Sequence, residues 1–248
     1  MAHRFSSLPW LSLLLGALSY ALPSSQTQGA IADYPTATLG ASHHSDSKTV
    51  FVGRSLPEFD QELFLGIKYA DQPVRFTPSS LKTSYAANDS NSGPLDASGA
   101  GLASSKGTVL YNATQYGHEC PGYGSDETKL VDMGLITLHE DCLNLNIIRP
   151  TRKSDHDELL PVMIWIFGGG WQQGATADPR YGLVYRMIVL DRLTVRGRYN
   201  MSYILRQGAL NGKPVLGVSI NYRVAAFGFL DSEEVRVCIY PYKWPRLC

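Results

Sequence analysis

The sequence carries no excess of either charge, with 22 Lys and Arg set against 22 Asp and Glu, and only 18% of its residues are charged. There is no basic field with which to grip phosphates, which argues against nucleic-acid binding by general electrostatics. Long apolar runs are missing from all but the first 21 residues, so a multi-span membrane protein does not fit. Apolar residues as a class are plentiful. At 44% of 248 residues they suffice to bury a core in one large domain or two small ones, and disorder throughout is excluded.

The one apolar run follows His3 and Arg4, extends from Trp10 to Leu18, and ends at Ser19-Tyr20-Ala21. A short basic opening, an apolar centre and small residues before a cut after Ala21 predict a secretory signal over residues 1–21. The run is shorter than the roughly 20 residues that cross a bilayer, so no transmembrane span is expected. Export implies an oxidising compartment in which cysteines pair and sequons accept sugar. Sequons begin at Asn88, Asn112 and Asn200. The four cysteines permit three pairings. Cys120 and Cys142 lie close together ahead of a strong strand, whereas Cys238 and Cys248 fall in a dissimilar tail, so a bridge from Cys120 to Cys142 is expected. Closing that loop stabilises the fold by roughly 3 kcal/mol on a chain-entropy argument.

Residues 22–48 are polar and rich in Ser, Thr and Ala, and read as a mobile lead-in. The pair His43-His44 within them has no acidic or Cys partner at ligand spacing and is assigned no metal. A second Ser, Ala, Gly and Asn stretch from Ser79 to Lys106 reads as a long surface loop. Three strands are expected at Leu143 to Ile148, Val162 to Phe167 and Val215 to Tyr222. The last two are apolar on both faces, as central strands covered by helices must be, which suggests α/β architecture. The first alternates Leu143, Leu145 and Ile147 with Asn144, Asn146 and Ile148, as a strand nearer an edge does.

Directly after one apolar strand comes Phe167-Gly168-Gly169-Gly170-Trp171-Gln172-Gln173-Gly174. Three successive glycines cost chain entropy and need a reason, either a tight turn or a close approach of bare amides to a ligand. Their context is specific. The run follows Phe64-Leu65-Gly66-Ile67-Lys68-Tyr69-Ala70, Arg75-Phe76-Thr77-Pro78 and Glu140-Asp141-Cys142-Leu143-Asn144-Leu145-Asn146, and precedes Val218-Ser219-Ile220-Asn221-Tyr222-Arg223 and Phe227-Gly228-Phe229-Leu230. In that order the segments resemble the type B carboxylesterases and lipases, the cholinesterase-like group of the α/β-hydrolase fold. The secreted fungal lipases are nearest, since they too have an aromatic residue before the glycines.

The resemblance implies a mixed, mostly parallel central sheet and ester hydrolysis by a Ser-His-acid triad, without metal or cofactor. It assigns Gly169 and Gly170 as oxyanion donors, Gly168 as the residue shaping their turn, and Phe167 and Trp171 as flanks of the acyl pocket. It also pairs Cys120 with Cys142. A glycine-x-serine-x-glycine elbow does not occur in the sequence; Gly217-Val218-Ser219-Ile220-Asn221 lacks the second glycine and reads as strand. None of the histidines matches the family base, and His118 and His139 read as surface or structural residues. Residues 49–234 are thus expected to be the N-terminal part of such a domain, cut before the elbow. Residues 182–199 read as an insertion or a retained intron, and 235–248 as a tail foreign to the family. The expected function is a secreted ester hydrolase fragment, inactive alone, whose full-length relative takes an ester or lipid. The alternative is a non-catalytic binding or adhesion protein on the same scaffold. Self-association is expected through an apolar edge at Val215 to Tyr222.

Overall fold

A computed structural model describes residues 34–40, 48–85, 108–151, 159–178 and 201–233. The signal, Asn88, Asn200, His43-His44, Cys238, Cys248, the 182–199 segment and the 235–248 tail lie outside the described residues.

The strands are β1 (Thr36–Leu39), β2 (Lys48–Val52), β3 (Arg54–Leu56), β4 (Gln61–Lys68), β5 (Thr108–Asn112), β6 (Asn144–Pro150), β7 (Val162–Ile166) and β8 (Leu216–Ile220). The helices are α1 (Ser125–Asp132), α2 (Met201–Leu210) and α3 (Ala225–Phe229). β1, β2 and β5 form a small sheet, and the larger sheet runs β3-β4-β6-β8-β7. The larger sheet is mixed. Its parallel pairing, among the described residues, is confined to β7 with β8, and the remaining neighbours are antiparallel. β1 lies within the stretch read as lead-in. Its side chains are largely exposed, so backbone pairing with β2 holds it, and a polar composition does not announce such a strand.

Alternation along β4 divides the core. Leu63 and Leu65 face one side, where Ile148 and, from α2, Met201 and Leu205 bury them. Phe64 and Ile67 face the other, against Phe51 and Tyr111 of the small sheet. Phe64 and Ile67 share a face because the register slips between them. Gly66 occupies the slip at a φ of +66°, where a Cβ would meet the Gln115 carbonyl at 2.7 Å. Such a bulge needs glycine. α2 buries its side chains one turn apart and stops at Gly212, left-handed at a φ of +68°, a usual helix terminator.

Two expectations for the strands are corrected. β6 is not near an edge but lies between β4 and β8, and its buried face carries Asn144 and Asn146, while Leu145 and Ile147 are half-buried. The asparagines tolerate burial because their bonds are made. Asn146 Oδ1 accepts from the Gly66 N–H at 2.9 Å, its Nδ2 donates to Thr176 Oγ1 at 3.0 Å, and Asn144 Nδ2 donates to the His118 carbonyl at 2.7 Å. Likewise, β8 is interior and β7 takes the edge. Val162, Ile164 and Ile166 are 57%, 63% and 64% exposed, so β7 is not covered on both faces.

Candidate active site

β7 and β8 run parallel and in register from Val162 opposite Leu216 to Ile166 opposite Ile220, so the chains leaving them emerge side by side. The crevice outside the carboxyl ends of parallel strands is where α/β sheets bind ligands. Here it is built from the glycine run after β7 and from Asn221 to Val224 after β8. Phe167 is buried, stacked on Tyr222 with ring centroids 4.3 Å apart. The Tyr222 hydroxyl donates to the Phe167 carbonyl at 2.8 Å. Beneath them the disulfide between Cys120 and Cys142 joins a cluster with Leu143, Phe167 and Val224, so the expected bridge supports the loop from below.

Three of the loop's carbonyls are engaged and its glycine amides are not. The Gly169 carbonyl accepts from Gln172 N–H at 3.2 Å, that of Trp171 from Ala225 N–H at 2.6 Å, and that of Gln172 from Tyr123 N–H at 2.8 Å. The N–H groups of Gly168, Gly169 and Gly170 donate to none of the described residues. All three glycines line a cavity of about 410 Å³ together with Phe167, Trp171, Tyr222 and Phe229. Amides left open on an apolar concavity are donors without a protein acceptor, free to meet the oxygen of a bound molecule.

Backbone conformation explains the glycines unequally. Gly169 sits at a φ of +139°, where a Cβ would fall 1.9 Å from the Gln173 carbonyl oxygen, and Gly170 at +64°. Gly168 has neither a positive φ nor any atom within 4 Å of a notional Cβ, so the constraint on the turn falls on its two successors. Gly174, to which sequence reading gave no role, is at +128°, with the Phe167 ring 2.5 Å from a notional Cβ. Its place just beyond the second glutamine was the available signal. Trp171 and Ala225 adopt left-handed φ of 58° and 54°, and the bond between them ties two strained residues at the cavity mouth. Strain of this kind costs about 1–3 kcal/mol per residue and tends to collect at functional sites.

The other residues singled out from sequence fall elsewhere. Ser219 is buried in β8 and accepts from Asn146 Nδ2 at 3.2 Å. His118 and His139 lie ring to ring at 5.1 Å. His118 Nδ1 is 2.8 Å from Thr137 Oγ1, and His139 Nδ1 accepts from the Asp141 N–H. Partial burial and the His139 charge hold the His118 imidazole below its ordinary range. Asn112 ends β5 at 2% exposure, with its Oδ1 accepting from both the N–H and the hydroxyl of Thr114; a sugar there would require that strand end to open. Glu119 was missed altogether. It is buried, its carboxylate accepts from the Ala177 N–H at 2.8 Å and the Thr176 N–H at 3.3 Å, and burial pushes its pKa up to about 7. These bonds fix the segment after the glycine loop to the segment carrying Cys120. Among the described residues no group of three or more His, Cys, Asp or Glu is placed to hold a metal. No described helix is long and apolar enough to cross a membrane.

The Carboxylesterase family matches the chain over residues 103–237, which include the glycine loop, the disulfide and the turn after β8. The chain belongs to the carboxylesterase family. Lipase 2 of Diutina rugosa is 31% identical over 231 residues, covering 84% of this chain and 32% of the relative. A secreted lipase of Arthroderma benhamiae is 34% identical over 125 residues, 50% of this chain and 18% of the relative. A solved thermophilic PNB esterase aligns over 75% of this chain and 29% of its own, with a TM-score of 0.50 and 26% identity. This carboxylesterase-family chain thus spans a third or less of the length of these relatives, and its mixed sheet is part of an α/β-hydrolase fold.

Proposed function

We propose that this chain supplies the oxyanion part of a secreted carboxylic-ester hydrolase acting on esters or lipids. One observation carries the reading: the amides of Gly168 to Gly170 lack protein acceptors and line an apolar cavity at the carboxyl ends of two parallel strands. In the reaction Gly169 and Gly170 donate to the carbonyl oxygen as it becomes anionic, and Phe167 and Trp171 flank the acyl group. A donor of this type is worth about 2.7–4 kcal/mol in the transition state. Export through a signal over residues 1–21 agrees with relatives named as secreted lipases. Residues 182–199 are an insertion or a retained intron, and the chain after residue 237 lies beyond the family match.

A nucleophile elbow is absent from the sequence, so this chain turns over no ester alone. Purified chain mixed with p-nitrophenyl butyrate is expected to release nitrophenol at the buffer rate. Release that an organophosphate abolishes would reveal an active serine and overturn the reading.

A further inference from the structure

A void of about 10 Å³ lies between α1 and the loop after the glycines, walled by Glu127, Gln173, Asp178 and the apolar Leu130 and Ile136 among others. It has room for one water at most. Glu127 is 6% exposed. Its Oε1 and the Oε1 of Gln173 are both buried without a hydrogen-bond partner. The other side of the Glu127 carboxyl faces Gly122, an approach kept open by glycine, since a Cβ at Gly122 would stand 2.8 Å from Glu127 Oε2. Two residues walling one small space thus each carry a buried acceptor without a partner. An unmet buried acceptor costs about 1–3 kcal/mol, and a proton shared between the two would remove both deficits.

We propose that Glu127 is a neutral acid in the folded protein, donating from Oε1 into the void toward Gln173 Oε1, directly or across one water, and so clasping the disulfide-closed loop to the glycine loop. Among the described residues no cation lines the void to oppose this form. Asp178 lines the same void, Glu119 lies close enough to feel the Asp178 charge, and no Lys, Arg or His is among the residues walling the space. Burial accordingly pushes the Glu127 pKa up to about 7. A carboxyl held above its unfolded value of about 4.3 binds its proton more tightly when folded. Its contribution is complete below that value and is lost as pH rises through about 7.

Thermal unfolding between pH 5 and pH 8 tests the clasp in the wild type, E127Q and E127A. The Gln variant keeps a permanent donor in the same shape. Its midpoint should match or exceed the wild type at pH 8 and fall by about 3 °C less across the range, the remaining slope belonging to Glu119. E127A should melt below both at pH 5. An E127Q midpoint below the wild type at every pH, or a wild-type midpoint raised by calcium and lowered by chelator, would show that Glu127 works as an anion and would overturn the proposal. Neither outcome touches the ester-hydrolase reading, because no reacting atom is involved.

Discussion

At the scale of single residues, the glycine run is where the physical argument is sharpest. Gly169 must be glycine because of both its φ and the 1.9 Å approach to Gln173, whereas nothing local demands glycine at 168. Gly169→Ala is therefore expected to lower stability by about 1–3 kcal/mol, and Gly168→Ala by less than about 0.5 kcal/mol, read as the shift in urea midpoint. Equal effects at the two positions would mean that the loop adopts another backbone. The glycine triplet and the cysteine pair were legible in the sequence because each is a local, one-letter signal with a definite cost or chemistry, while the aromatic flanks came from the family resemblance. Gly174, Glu119 and the two buried asparagines of β6 were not. Their roles depend on which backbone groups pass beside them from up to 80 positions away, as with Gly66 and Asn146, and no periodicity carries that information.

At the scale of elements, apolar content alone was a poor guide to a strand's place in the sheet. β7 and β8 read alike in sequence, yet one is interior and the other is an edge, because strand order follows the pairing of β6 with β8. The pairing register aligns Ile147, Val218 and Ile164 across three strands, and exposure grows toward β7, where Ile164 reaches 63%. Among the described residues nothing pairs with the outer side of β7. A free edge bordered by exposed apolar side chains is a template for another chain. Self-association is therefore expected at micromolar concentration, and Ile164→Lys, which places a charge on that face, should shift sedimentation toward monomer. Wild-type chain that sediments as a monomer would remove the expected association and its assignment to this edge.

At the scale of the whole molecule, the folded chain brings three supports to one loop. The disulfide and Phe167 lie under it, the turn after β8 holds its Trp171 carbonyl, and α1 with Tyr123 closes its far end. Each grips a carbonyl or a side chain and leaves the glycine amides open, as the proposed oxyanion role requires. The most direct measurement is a titration of ¹⁵N-labelled Ile164→Lys chain with a short alkyl phosphonate, an anionic tetrahedral mimic, followed by amide chemical shifts. Saturable shifts concentrated at Gly169 and Gly170, and weakened in Gly169→Ala, are the predicted result. Shifts spread evenly over the surface, or none at the glycines, would contradict the assignment of this loop as an oxyanion site.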